Sequence, residues 1–106
     1  MNDERRQAAR VRVSLEARWE GIAGRYTARV SDLSLHGCFF ETIGSAALGD
    51  MIDFDVRLPT GRWLSLQGIV AFIDQNIGFG VSFTNLHSET RRYITRLVEY
   101  YASDPM

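Results

Sequence analysis

The chain has 106 residues, of which 45% are apolar and 24% charged, and its formal net charge is −1. A chain of this length forms one domain with a single core, and its near-neutral charge argues against a nucleic-acid polymer as partner, because such binding requires many phosphate contacts. No apolar stretch approaches the roughly 20 residues of a membrane span, and the one cysteine excludes an internal disulfide, so we expect a cytoplasmic protein with no membrane partner.

The first ten residues, MNDERRQAAR, lack the apolar core of a signal peptide. They show no apolar periodicity either, so residues 1–10 are predicted to form a flexible arm. All twelve basic residues of the chain are arginine, and four of them lie near this end, at Arg5, Arg6, Arg10 and Arg12. Arginine offers a planar fork of donors and a stacking face that lysine lacks. The cluster therefore indicates a binding role, although a solvated basic tail is the simpler explanation for the arm taken alone.

Apolar residues alternate with polar or small ones over residues 11–20, 52–58, 64–72 and 77–83, which predicts half-buried strands. Residues 26–30 and 38–43 are also predicted to be strands, which gives six strands in all. Turn formers separate them, as in GIAG after the first strand and PTG after the fourth, and residues 44–50 are expected to form a loop with at most one helical turn. Six short strands with tight turns predict a small antiparallel β-barrel or sandwich, and a barrel also removes the exposed strand edges.

The last segment changes to helical spacing, with an apolar stripe at Tyr93, Ile94, Leu97, Val98 and Tyr101. Ser88 is the predicted N-cap of this amphipathic helix. The helix is expected to cover one end or side of the barrel. Residues 11–102 would then form the folded domain, an all-β barrel closed by a C-terminal α-helix.

Few residues of this chain could support catalysis or bind a metal. His36 and Cys38 are two residues apart, but a structural zinc site needs about four ligands and the sequence offers no second pair. We therefore expect no metal and no enzyme activity, with His36 solvated and Cys38 in the core. The GFG segment at residues 78–80 lacks the context of a dinucleotide-binding loop. Its glycines favour close approach of a neighbouring strand over that of a ligand, so Gly78 is a weaker site candidate.

The stretch DLSLHG, residues 32–37, lies between the second and third predicted strands. Taken alone it is typical of a turn, because Asp and Ser side chains cap backbone groups locally. Combined with the arginines of the arm it forms a larger pattern, R-x-x-x-R followed by D-x-S-x-x-G, at Arg6, Arg10, Asp32, Ser34 and Gly37.

This double motif resembles the PilZ domain. The resemblance covers essentially the whole chain and includes the LP-x-G hairpin at residues 58–61, GVSF at residues 80–83 and the closing helix. It implies a six-stranded antiparallel β-barrel that binds the bacterial second messenger cyclic di-GMP, with no cofactor and no catalysis. Both halves of the ligand motif are intact.

The chemistry of guanine fits these residue types. An arginine fork meets the O6 and N7 acceptors on one edge of the base, and guanidinium groups also suit the phosphates. Asp32 can accept hydrogen bonds from the N1 proton and the N2 amino group, and Ser34 can accept one more. Gly37 would leave room for the base or ribose. Arg5, directly before Arg6, occupies a position where arginine in PilZ domains is associated with binding an intercalated dimer of cyclic di-GMP.

We expect a monomeric receptor whose flexible arm closes over the ligand and which signals in trans to an unidentified downstream protein. The resemblance implies that such a partner acts in motility, exopolysaccharide or biofilm control. Two alternative functions belong to other classes of protein. One is a ligand-independent adaptor that uses the barrel to bind proteins. The other is an oligonucleotide-binding barrel, which should present aromatic side chains on an exposed strand face and a basic groove. The sheet aromatics here are predicted to lie mostly at core positions, which argues against that alternative.

Overall fold

The computed structural model describes residues 10–22 and 24–103. Over these residues the chain forms six strands and one helix. The elements are β1 (Val11–Gly21), β2 (Gly24–Leu33), β3 (Gly37–Glu41), β4 (Met51–Arg57), β5 (Trp63–Asp74), β6 (Gly78–Thr84) and α1 (Ser88–Ala102). The predicted arm lies outside the described residues except for Arg10.

The six strands pair antiparallel into a closed barrel in the order β1-β2-β3-β6-β5-β4, and β1 pairs with both β2 and β4. The predicted six-stranded antiparallel barrel is confirmed. Alternation along β1, β4 and β6 explains it, because most apolar residues of these strands face one interior and the polar residues face outward. Strand β1 pairs with β2 from Val11 to Gly21 and with β4 from Ala17 to Glu20, so the part of β1 next to Arg10 is held by β2.

The barrel interior is filled by aromatic and aliphatic side chains. Trp19, Phe40 and Phe79 are almost completely buried. The Trp19 ring meets Phe79 edge to face at 5.0 Å, and its indole Nε1 donates a hydrogen bond to Thr42 Oγ1 at 3.1 Å. Edge-to-face contacts of this kind stabilise aromatic cores beyond simple burial. The result is a rigid interior on which the outer faces of the strands are displayed.

The C-terminal helix packs its apolar stripe onto this core, where Ile94 is buried and Leu97 and Val98 are half-buried. Ser88 is not the N-cap, as the sequence had suggested, but the first helical residue. The cap is His87, whose backbone is extended, and its side chain makes no capping hydrogen bond with the described residues. Among residues 10–22 and 24–103, no helix is long and apolar enough to cross a membrane.

Strand β2 extends three residues beyond its predicted end. A register irregularity lies between Val30 and Asp32 where β2 pairs with β3, and an extra residue of this kind re-aims the side chains that follow it. Leu33 is buried and Asp32 is partly exposed. Asp32, which we expected in a loop, is therefore part of the sheet.

A second irregularity, between Val70 and Phe72 in β5, reverses another prediction. Val70 is buried, whereas Phe72 pairs with Gly80 and is 47% exposed. The interruption of strict alternation places Phe72 on the outer face, although period two from Val70 would have placed it in the core. At the following turn, Ile77 lies before β6 rather than within it.

Candidate binding site on the outer barrel face

The register of the sheet places Asp32 between two side chains of neighbouring strands. Its cross-strand partners are Arg12 on β1 and Phe39 on β3. Side chains at directly opposed positions lie about 4.5–5.5 Å apart at Cβ. The carboxylate of the D-x-S-x-x-G motif thus lies on the open outer face of the barrel, flanked by a guanidinium group and an aromatic ring.

One arginine of the arm reaches this carboxylate. Arg10 Nη1 donates a hydrogen bond to Asp32 Oδ1 at 3.2 Å, and the two side chains are 48% and 38% exposed. The structure therefore brings together one residue from each half of the predicted double motif. Arg5 and Arg6 lie outside the described residues. An ion pair this exposed contributes about 0.2–1 kcal/mol, so Asp32 is held in place only weakly.

Ser34 is buried, with 2% of its surface exposed, and it organises the turn between β2 and β3. Its hydroxyl accepts a hydrogen bond from the His36 N–H at 3.2 Å and points to the Gly37 carbonyl at 3.4 Å, while the Ser34 N–H bonds the same carbonyl at 2.9 Å. Ser34 therefore stabilises the turn through local backbone hydrogen bonds, which is one of the two roles the sequence allowed for it. Its contact with a ligand stays a prediction.

Gly37 and Gly78 are both required by the neighbouring strand. A Cβ on Gly37 would lie 2.0 Å from the Val81 carbonyl oxygen, and one on Gly78 would lie 1.8 Å from the Phe40 carbonyl oxygen. These contacts join β3 and β6, which pair over this region. Close strand approach, the interpretation favoured for the GFG segment, accounts for Gly78, and the same cause accounts for Gly37 without a ligand.

His36 and Cys38 lie in different environments and cannot act together. His36 is exposed, whereas Cys38 is buried in the core cluster. Burial raises the pKa of the Cys38 thiol, so the thiol stays protonated at neutral pH. Within the described part of the chain, no three His, Cys, Asp or Glu side chains are grouped as metal ligands.

The charges around Asp32 favour an anionic partner. Arg12 is exposed and forms no ion pair with the carboxylates of residues 10–22 and 24–103. On β3, Glu41 is bound by Arg29, and this hydrogen bond lowers the pKa of the Glu41 carboxyl. Because Glu41 is paired with Arg29 and Asp32 with Arg10, the Arg12 guanidinium is the charge beside Asp32 that is left without an ion-pair partner among the described residues. Arg12 belongs to the arginine cluster seen in the sequence, but the double motif did not include it.

A groove of about 870 Å³ on the molecule is lined by neither Arg10 nor Asp32. What the face around Asp32 offers is a carboxylate that accepts hydrogen bonds, guanidinium groups that donate them, and an adjacent aromatic ring. This combination suits a planar, polar ligand that also carries negative charge.

A profile of the PilZ domain matches residues 4–100. The fold is similar to the PilZ domain with c-di-GMP of YcgR from Escherichia coli, with a TM-score of 0.74 and 14% identity over 92% of each chain.

Two further solved structures are similar in fold. The Bacillus subtilis inhibitor of motility (MotI/DgrA) superposes with a TM-score of 0.78 at 13% identity, over 96% of this chain and 53% of that one. The PilZ domain of CeSA from a cellulose-synthesizing bacterium superposes with a TM-score of 0.66 at 19% identity, over 88% of this chain and 97% of that one. Identities this low show a shared fold alone. No curated protein sequence matches the chain significantly.

Proposed function

Because this chain belongs to the PilZ domain family, we propose that it is a receptor for cyclic di-GMP. The observation that carries the proposal is the pairing of Arg10 with Asp32 on the outer face of the barrel, which joins one residue of each ligand motif at 3.2 Å. The solved PilZ domain of YcgR, to which the fold is similar, contains c-di-GMP.

In this proposal Asp32 accepts hydrogen bonds from the N1 proton and the N2 amino group of a guanine. Arg10 exchanges its bond to Asp32 for the guanine acceptors or a phosphate, and Arg6 joins it there. The Ser34 turn fixes the position of Asp32 relative to β3 and contributes one further acceptor. Nothing in this arrangement requires a cofactor, and the protein acts as a receptor without catalysis.

The experiment that tests the proposal is isothermal titration of the protein with cyclic di-GMP, GTP and cyclic GMP. A ligand that binds only the folded state also raises the melting temperature. We expect heat and a melting shift with cyclic di-GMP and much weaker responses with the two mononucleotides, since they cannot present two guanines and two bridging phosphates together. Absence of both signals at a large excess of cyclic di-GMP would exclude this function and favour the ligand-independent adaptor.

We propose further that residues 1–10 close over the bound ligand and that this movement is the signal. Ligand-dependent ordering creates a new surface that a downstream protein can recognise. Backbone NMR order parameters of Arg5 and Arg6 should rise on saturation with cyclic di-GMP. Values that do not change would contradict the closing arm while leaving binding itself untouched.

Arg5 leads to a proposal about stoichiometry. Two stacked cyclic di-GMP molecules bring four phosphates, and a third guanidinium beside Arg6 and Arg10 can offset that charge and stack on a base. We therefore expect two ligands per chain by native mass spectrometry. The count should fall toward one in Arg5→Ala, with binding retained through the other two arginines. A count of one in the unmodified protein contradicts the dimer.

We propose that the receptor acts in trans, as a cytoplasmic monomer, on a partner that controls motility, exopolysaccharide or biofilm formation. Pull-down from the source cells with and without cyclic di-GMP identifies the partner if its capture depends on the ligand. Equal capture in both conditions instead supports the adaptor.

A further inference from the structure

Three arginines surround Tyr93, where α1 meets the turn between β4 and β5. Arg92 and Arg96 are four residues apart on α1 and line a cleft of about 270 Å³ together with Tyr93. Arg62 comes from the turn, and its Cζ lies 6.0 Å from the centroid of the Tyr93 ring. The barrel and the helix thus bring three guanidinium groups together, and we call Arg62, Arg92 and Arg96 the Tyr93 arginines.

The Tyr93 arginines are exposed and form no ion pair with any carboxylate in the part of the chain that the structure describes. Glu89 lines the same cleft but pairs with neither Arg92 nor Arg96. The described arginines that do have a carboxylate partner lie on or next to the barrel strands, at Arg10, Arg18, Arg25, Arg29 and Arg57. A chain of net charge −1 therefore presents a local surplus of positive charge beside Tyr93.

The stability of the helix does not account for this arrangement. Like charges four residues apart destabilise a helix, and Arg92 and Arg96 have this spacing. Cations are favourable near the C-terminal end of a helix, where the macrodipole is negative, yet the arginines of α1 all lie within residues 88–96 and its last turn has no basic residue. A partner that carries negative charge would remove both penalties.

From these observations we propose that the Tyr93 arginines dock an acidic segment of a partner protein. Each planar guanidinium group can bind a carboxylate through two parallel hydrogen bonds. An anionic membrane fits less well, because the apolar stripe of α1 that would enter the lipid is packed on the barrel core. A nucleic-acid polymer fits less well, because it draws on many more phosphate contacts than these arginines can make. The inference goes beyond the proposed function, since none of these residues belongs to the double motif and docking requires no cyclic di-GMP.

The test uses hexaglutamate as the probe and the full chain without cyclic di-GMP. NMR follows the arginine side-chain Nε–Hε signals at about 0.1 M salt, where charges more than about 10 Å apart are largely screened. Hexaglutamate should shift the signals of the Tyr93 arginines and the ring signals of Tyr93, whereas hexaglutamine should shift none of them.

Two variants with the same change in charge show whether the cleft itself binds the peptide. Arg92→Glu removes one guanidinium group and places a carboxylate four residues before Arg96, where the two can pair. Its affinity for hexaglutamate should fall at least about fivefold. Arg91→Glu is the matched control, because Arg91 is exposed, has no carboxylate partner among the described residues and does not line the cleft. Its affinity should change less than about twofold.

The proposal is overturned if hexaglutamate shifts no arginine signal, or if Arg92→Glu and Arg91→Glu lose affinity equally. Tighter binding to vesicles that contain phosphatidylglycerol, or to an oligothymidylate of the same charge as the peptide, overturns it in favour of a membrane or a nucleic acid. Thermal melting checks that both variants fold. Should Arg92→Glu not fold, the unmodified protein decides, because an Arg91 signal that shifts as far as those of Arg92 and Arg96 overturns the site. Failure to bind cyclic di-GMP would remove the proposed function and leave this docking surface intact.

Discussion

Replacing Asp32 by alanine separates ligand recognition from folding. In the unliganded protein the only charged partner of Asp32 within the described residues is Arg10, at 3.2 Å. Both side chains are more than a third exposed, so solvent screening limits the pair to about 0.2–1 kcal/mol. For a domain of about 100 residues, 1 kcal/mol corresponds to about 4–8 °C in melting temperature. Asp32→Ala should therefore melt less than about 8 °C below the unmodified protein.

Binding of cyclic di-GMP should suffer far more. Alanine at this position leaves the N1 and N2 donors of the guanine without an acceptor, and each donor left unpaired in a partly dehydrated site costs about 1–3 kcal/mol. Because Asp32 is partly exposed, water compensates some of this loss, and we expect about 1–3 kcal/mol in total. This corresponds to an affinity about 5- to 150-fold lower. Asp32→Asn retains one acceptor oxygen, so its affinity for cyclic di-GMP should lie between that of Asp32→Ala and that of the unmodified protein.

The matched control is His36→Ala, in the same turn. The His36 side chain is exposed, and the hydrogen bonds of this residue are made by its backbone, from its N–H to Ser34 Oγ and from the Phe83 N–H to its carbonyl. Alanine keeps both bonds, so affinity should change little. Titration calorimetry of Asp32→Ala and His36→Ala, with melting curves of each without ligand, completes the assay. Equal losses of affinity in the two variants would refute the role of Asp32.

Three further predictions concern the barrel itself. Gly78→Ala should lower the unfolding free energy by about 1–3 kcal/mol in urea, since its Cβ would clash with the Phe40 carbonyl oxygen at 1.8 Å; an unchanged midpoint would contradict that packing. Trp19→Ala should cost about 3–5 kcal/mol by the same assay, because it empties a buried site and leaves Thr42 without its indole donor. Burial raises the pKa of Cys38 above its unfolded value of about 8.5. At pH values below about 8.5 the thiol is neutral in both the folded and the unfolded protein, so its titration does not lower the unfolding free energy there. Above about pH 8.5 the unfolding free energy should fall with rising pH, by up to about 1.4 kcal/mol per pH unit, and more steeply than in Cys38→Ala.

The barrel could be predicted because its signals are local. Period-two alternation marks β1, β4, β6 and most of β5, and the helical stripe around Ile94 marks the one change of period. Closure then follows from the need to bury the apolar faces and pair the edges. The two halves of the ligand motif were also visible, and the structure places Arg10 beside Asp32.

The register irregularities could not be predicted in the same way. Strict alternation from Val70 assigns Phe72 to the core, and the residue that shifts the phase carries no distinctive sequence signal. The contact between Phe72 and Phe39 also joins strands that are not adjacent in the chain or in the sheet. The sequence therefore indicated the charged part of the candidate site. It did not indicate that Phe39 and Phe72 lie together on the outer face, because their contact depends on the order of the strands in the sheet.

The Arg10–Asp32 pair gives the proposed receptor a way to couple binding to movement of the arm. Without ligand, Asp32 holds Arg10, the residue that connects the arm to β1, through a single hydrogen bond. A guanine that binds the carboxylate competes with this bond, which contributes only about 0.2–1 kcal/mol, whereas the two guanine donors together gain about 1–3 kcal/mol. The exchange is therefore favourable, and it releases the Arg10 guanidinium toward the phosphates at the moment the base is bound. Arg10→Ala should thus weaken binding of cyclic di-GMP by removing this contact, while Asp32 still meets the guanine and Arg5 and Arg6 are still available to the phosphates. Titration calorimetry that shows an unchanged affinity for Arg10→Ala would contradict the exchange.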